Sequence, residues 1–408
     1  MLNWAKPFNI FCFLDNHAYD LQGHRFDCLL AAGTRAILDP THSIDTLDAF
    51  LASHEWVFCH LTYEAKALFF PGAPPRPDPA GFPLYFFFAP EVVLSLAGDT
   101  LRIDAADPDA IYLALIAGAP QAAAPLTSIA VRQRLTEEAY LEAVEGLLRH
   151  IRRGDCYEIN FCQEFYGHAP TLDPYAVYQQ LADASPAPYS ALYRCGESYL
   201  LCASPERFLQ KRGRRLIAQP MKGTARRSKG DSQADAEAKK ALVGSQKERS
   251  ENVMIVDLMR NDLSKVCADG SVRVSELYGV YTFPQVHQMV STVEGLLGED
   301  VGVLDILAAT FPMGSMTGAP KKRVLELIDA AESGPRGLFS GSVGYFHEGD
   351  FDLNVVIRSL LYNARTGYLS FPVGSGITTY SDPSAEWAEC LLKAAAIKKV
   401  LTGGSALG

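Results

Sequence analysis

No two of the nine cysteines stand in a C-x-x-C pair; Cys12, Cys28, Cys59, Cys156, Cys162, Cys195, Cys202, Cys267 and Cys390 are scattered along the chain. An odd number at irregular spacing argues against a disulfide framework and fits reduced thiols in a cytoplasmic protein. The same spacing offers zinc none of the ligand pairs on which its structural sites are built. No apolar run reaches the ~20 residues of a membrane span. The amino end, Met1-Leu-Asn-Trp-Ala-Lys6, has no charged segment leading into an apolar one. The expectation is a soluble protein with no membrane partner. Positive charge is also in short supply, with 37 Lys and Arg against 47 Asp and Glu, a net charge of −10. That balance speaks against a nucleic-acid surface, which needs a basic patch. It leaves room for a small anionic ligand, because a few cations or a bound metal can invert the field inside a cleft. The phosphate-cradling pattern GxxxxGK[ST] is missing, which excludes a P-loop nucleotidase. There is no internal repeat and no low-complexity tract.

What is present is 408 residues, 48% of them hydrophobic, enough for a large core. Residues 1 to about 125 are rich in aromatics, alanine and proline, with strand-like runs at Trp56–Leu61 and Leu84–Ala89. The small-residue and proline stretch from Ala117 to Pro125 reads as a linker. A helix follows near 136–153, capped by Thr136, with Glu137 and Glu138 in its first turn and Arg152-Arg153 before Gly154. Further helices are expected near 236–263, 319–331 and 383–401, and residues 135–402 read as one mixed α/β unit.

Six segments carry chemistry. In Gln219-Pro-Met-Lys-Gly-Thr224, Lys222 is either a surface charge at a turn or an amine aimed into a cavity, with Gly223 permitting close approach. A lysine nucleophile must lose its proton, through desolvation or a neighbouring cation. Glu248 and Glu251 lie three apart and share one helix face; Glu386 and Glu389 repeat the arrangement behind Asp382-Pro383, with Lys393 one turn further on. Such pairs are common on solvated helix faces. Two helices that each offer one can also surround a divalent ion, and magnesium suits carboxylates, waters and an anionic substrate. Phe311–Lys321 is a small-residue loop entering a helix, a form of anion site. Asn354–Leu360 places Arg358 in a β-branched strand, where a cation requires a carboxylate from the protein or from a substrate. Gly374, Ser375 and Gly376 bring backbone donors close to something.

Taken together these segments resemble the chorismate-utilising enzymes, a family that includes anthranilate, aminodeoxychorismate, isochorismate and salicylate synthases. The resemblance spans roughly 130–402 and rests also on Ser204-Pro-Glu-Arg-Phe208, Ser250–Leu258, Arg260-Asn-Asp262 and Ser381–Glu389. It implies an α+β fold of two stacked antiparallel sheets with helices outside and the active site between the layers. Residues 1–125 would pack on this catalytic unit. The resemblance further implies that Glu251 and Glu389 hold magnesium, with Glu248 and Glu386 behind them. Thr224, Tyr345, Arg358, Gly374, Ser375 and Gly376 would hold the substrate, Lys393 would lie near its metal-bound carboxylate, and Glu206 would be the general acid. Lysine at 222 resembles the aminodeoxychorismate-forming branch, in which the amine attacks C2 and ammonia then adds at C4 for p-aminobenzoate and folate synthesis. Anthranilate synthases typically have alanine there and are the alternative. Glu158 stands where isochorismate and salicylate synthases have a lysine base, and where many relatives have glutamine. No Gly-x-Cys-x-Gly turn is present, so ammonia is expected from a separate glutamine amidotransferase.

Overall fold

Along the strand Ile10–Asp15, Phe11 and Phe13 join one apolar cluster and Cys12 joins another. This period of two, with both faces buried, is what a strand does when it is covered on each side. It recurs in Ser198–Ser204, where Leu200 and Cys202 face one way and Leu201 and Ala203 the other. The computed structural model of the chain describes residues 1–19, 23–72, 74–118, 128–228, 230–283 and 286–402, with Lys247 described by its backbone alone. The expected linker lies outside these residues from 119 onward.

Among the described residues the strands form two antiparallel sheets, one of eleven strands and one of ten. Cys12, Ala31, Leu200 and Cys202 of the larger sheet meet Phe58, Phe87, Phe208 and Leu209 of the smaller one in a shared core. On the outer side of the larger sheet, Phe11, Phe13 and Leu201 pack with helices Glu137–Arg152, Pro174–Ala184 and Pro383–Leu401. The fold is α+β, two stacked sheets with helices outside. The first 118 residues do not form a separate layer. Strand Ile10–Asp15 pairs with Tyr189–Cys195 and extends one sheet, while Trp56–Leu61 pairs with Ser342–His347 and extends the other.

The helix Glu137–Arg152 begins as its sequence dictates: the Thr136 hydroxyl accepts from the Ala139 N–H, and Tyr140, Val144, Leu147, Leu148 and Ile151 are its buried stripe. Two expectations differ from the structure. The helix expected near 236–263 is two helices, Ser232–Gly244 and Gln246–Ser264. Ser245 is extended, and its hydroxyl accepts from the Glu248 N–H, so a serine that caps has replaced a serine inside a helix. Arg358 is not in a strand. The β-branched run Val355-Val356-Ile357 is the passage from strand Asp350–Asn354 in the smaller sheet to Ser359–Asn363 in the larger. Its backbone groups bond across the gap, Val355 N–H to the Glu206 carbonyl at 3.0 Å and Val356 N–H to the Gly341 carbonyl at 2.9 Å. Arg358 sits at the bend with φ of 51°.

The smaller sheet is held from within by Arg207, whose Nε and Nη2 donate to the two oxygens of Asp352, both at 2.9 Å. A buried pair of this kind costs most when only one member is removed. Arg207→Ala is expected to destabilise the protein by about 3–5 kcal/mol, read as a lowered denaturant midpoint; a shift of less than a third of that would mean Asp352 finds another partner.

Candidate active site

Lys222 lies on the strand Met221–Arg226, at the end of the smaller sheet beside Val286–Leu296. The register slips between Met221 and Thr224. Such a slip re-aims a side chain, and here it falls on Lys222 and Gly223. Gly223 has φ of 92°, a conformation glycine adopts freely, and a Cβ on it would stand 3.0 Å from a Glu248 carboxylate oxygen. Lys222 Nζ donates to Oε1 of Glu158 at 2.9 Å and lies 3.8 Å from the Glu251 carboxylate. Glu158 opens the strand Glu158–His168 of the other sheet, paired along its length with Tyr368–Thr378. A side chain on Gly376 would overlap Lys222 Nζ. The backbone of Gly374–Gly376 therefore comes close to the lysine itself.

Sequence reasoning asks for a lysine of lowered pKa. Burial does push Lys222 downward, but the carboxylates of Glu158, Glu251 and Glu389 outweigh it and hold the ammonium form well above its usual range. Three carboxylates thus hold the charge on this lysine. Glu206, 5% exposed, behaves in the opposite way. Burial raises its carboxyl to about 7, against the Ser315 hydroxyl hydrogen bond and the nearby Lys222 charge, so it is a proton donor near neutrality.

The two acidic helices deliver their side chains unequally. Glu251, on Gln246–Ser264, and Glu389, on Pro383–Leu401, both act on Lys222. Lys393 bridges Glu389 at 2.7 Å and the Gly374 carbonyl at 2.8 Å. Glu386 is buried and accepts from the Ser375 hydroxyl, while Glu248 rests against Gly223. Among the described residues, these four carboxylates do not bring three oxygens within 4.8 Å of one another. Glu251 and Glu389, both acting on Lys222, are still a donor set that fits magnesium, which takes one or two carboxylates and completes its shell with water and substrate. Arg358 keeps solvent contact but is enclosed by protein, which lowers its pKa, with the Glu389 carboxylate opposing.

One of the expected substrate residues is placed apart from this group. Tyr345, on strand Ser342–His347, packs its ring among Phe26 and Trp56 at 6.0 and 5.9 Å and lines a different cavity with His24, Arg25 and Asp352. Its strand neighbours are Phe58 and Asp352, so aromatic packing, not an anion, is what its position answers to. Thr224 is exposed and donates its hydroxyl to Gln288. In the loop Phe311–Lys321, the lysine side chain is committed internally: Lys321 Nζ donates to Asp262 at 2.5 Å and to the Thr310 carbonyl at 2.8 Å. The loop's part in the cleft is Ser315, beside Glu206. Nothing in the sequence separates that serine from its neighbours. Glu158 was visible as an unusual residue type, but its contact with Lys222 depends on a pairing of two sheets that no local pattern encodes.

A lysine ringed by carboxylates thus lies between two antiparallel sheets, near a buried glutamate whose carboxyl is raised to about 7. The chain belongs to the chorismate binding enzyme family, whose model matches residues 16–399. Component 1 of aminodeoxychorismate synthase from Klebsiella aerogenes is 41% identical over 272 residues, covering 66% of this chain and 59% of that protein. Anthranilate synthase component 1 of Thermus thermophilus is 35% identical over 340 residues, covering 80% and 73%. The chain spans only 30 to 59% of the length of several curated relatives it matches. The crystal structure of anthranilate synthase component I from Streptococcus pneumoniae shares the fold, with a TM-score of 0.81, 23% identity and 94% of each chain covered.

Because Nζ rests where a Gly376 side chain would be, Gly376→Ala is expected to push Lys222 off Glu158 while leaving thermal melting close to wild type. A crystal structure of the variant with the 2.9 Å contact intact would show that the glycine has some other purpose.

Proposed function

We propose that this chain is component I of aminodeoxychorismate synthase, making 4-amino-4-deoxychorismate from chorismate and ammonia through a covalent bond to Lys222. The observation that carries this reading is Lys222 Nζ between the two sheets, 2.9 Å from Glu158 and near Glu206, whose carboxyl burial raises to about 7. An enzyme that adds ammonia directly has no use for an amine there. The naming of relatives such as the Klebsiella protein supports the same branch.

Lys222, as the free amine, forms a bond to C2 of chorismate while the C4–O bond breaks, and Glu206 gives its proton to the departing hydroxyl, which leaves as water. Ammonia then bonds to C4, the C2–Nζ bond breaks, and Lys222 is restored. One difficult displacement becomes two easier ones. Arg358 and the Gly374–Gly376 backbone orient the substrate's carboxylates. Magnesium held by Glu251 and Glu389 would neutralise those two carboxylates and fix the ring carboxylate of chorismate. Ammonia comes from a separate glutamine amidotransferase, and the product feeds p-aminobenzoate and folate synthesis.

The test is mass spectrometry of reactions with chorismate, magnesium and ammonium. Wild type is expected to give 4-amino-4-deoxychorismate, and Lys222→Ala to give none while melting normally. An undiminished rate in that variant removes the covalent route; anthranilate and pyruvate from wild type would move the chain to the anthranilate branch.

Glu206 supplies a pH prediction. Its carboxyl must be protonated to assist the leaving hydroxyl, and its pKa is raised to about 7, so the activity it confers is present below that value and declines as pH rises through it. Glu206→Gln is expected to lower kcat by about 10²–10⁴ and to remove this alkaline limb. A limb that persists in the variant would belong to another group.

A further inference from the structure

Glu158 is 2% exposed, and only one of its two oxygens is used. Oε1 accepts from Lys222, while Oε2 is buried with no hydrogen-bond partner among the described residues. An ionised carboxylate withdrawn from water is tolerated when a cation faces it, and here that cation is Lys222. On the reading above, Lys222 gives up this role during the reaction, because its nitrogen becomes bonded to the substrate and swings toward it. Glu251 and Glu389 would hold the metal. Glu158 is then left without its lysine partner, with Oε2 still unpaired among the described residues.

We infer that Glu158 is the docking site for the second nucleophile as ammonium, with Oε2 accepting its N–H and then taking its proton, so that ammonia with a free electron pair bonds to C4. Three features favour a small monocation. The surroundings are tight: on strand Tyr368–Thr378, Gly376 approaches Glu158 Oε1 so closely that a methyl group there would stand 3.0 Å away, so what replaces the Lys222 ammonium has to be small. The Glu158 backbone is equally pressed, since a Cβ on Gly318 would collide with its carbonyl. The free oxygen belongs to a side chain that begins a strand fixed by eleven residue pairings, so it cannot retreat to solvent. A glutamine at this position would keep the shape and lose the charge. The consequence is a cleft that collects ammonium only once the lysine has been spent, which orders the two nucleophiles.

This inference rests on the proposed two-step reaction, and its test has an arm that does not. Crystals of Lys222→Ala, grown with magnesium and soaked in thallium(I) as a stand-in for ammonium, are expected to show an anomalous peak in contact with Glu158. The peak should vanish in Lys222→Ala/Glu158→Gln. No peak beside Glu158 in the single variant, or an unchanged peak in the double, overturns the inference whatever the enzyme makes. In solution, Glu158→Gln is expected to raise the KM for ammonium at least tenfold while the Lys222–substrate adduct still forms in ammonium-free mixtures. An unchanged KM for ammonium with slowed adduct formation would show that Glu158 serves Lys222 alone and would also overturn it. If wild type makes no 4-amino product, the ammonium role falls together with the proposed function, and the thallium peak separately decides whether a cation site exists.

Discussion

The contact between Lys222 and Glu158 joins the two sheets at the point where chemistry has to happen. One partner comes from the last strand of the smaller sheet and the other from a strand near the edge of the larger, so their separation reads out how the layers are stacked. Around that contact the rest is arranged by exclusion. Gly376 has no side chain because Nζ is there, and Gly223 has none because Glu248 is there. The slip in register at Lys222 turns an edge-strand lysine into a cleft. Each of these is a steric condition on one ion pair.

The electrostatics follow from the same crowding. Three carboxylates act on one ammonium, and burial makes each of them matter more than it would in water. The balance favours the charged lysine. Burial in the same surroundings raises Glu206 to about 7. One environment thus shifts a lysine and a glutamate alike toward their protonated forms.

Much of this was legible in the sequence where function and local pattern coincide. The helix Glu137–Arg152 shows its cap and stripe openly, and the two Glu-x-x-Glu pairs announce themselves by spacing. Lys222-Gly223 and the Gly374–Gly376 run were conspicuous because glycine marks close approach. What escaped depended on partners distant in sequence. Tyr345 follows a glycine and precedes a phenylalanine, and nothing there reveals that Phe26 and Trp56 will surround it. Val355-Val356-Ile357 has the composition of a strand, yet both its sides are buried because it crosses between layers, a distinction that β propensity does not make. Ser245 broke a helix through a single hydroxyl, and a window long enough to see the helix averages that residue away.

The first 118 residues have a consequence for how the chain comes into being. Ile10–Asp15 finds one partner in Cys28–Ala32 nearby, but its other edge waits for Tyr189–Cys195, and Trp56–Leu61 waits for Ser342–His347. During synthesis the earliest strands therefore emerge as open edges, and neither sheet can close until nearly the whole polypeptide has left the ribosome. A ribosome that stalls short of residue 342 releases a chain with a sticky border, so the speed of translation through the middle of this message bears on how much of the protein reaches its native state.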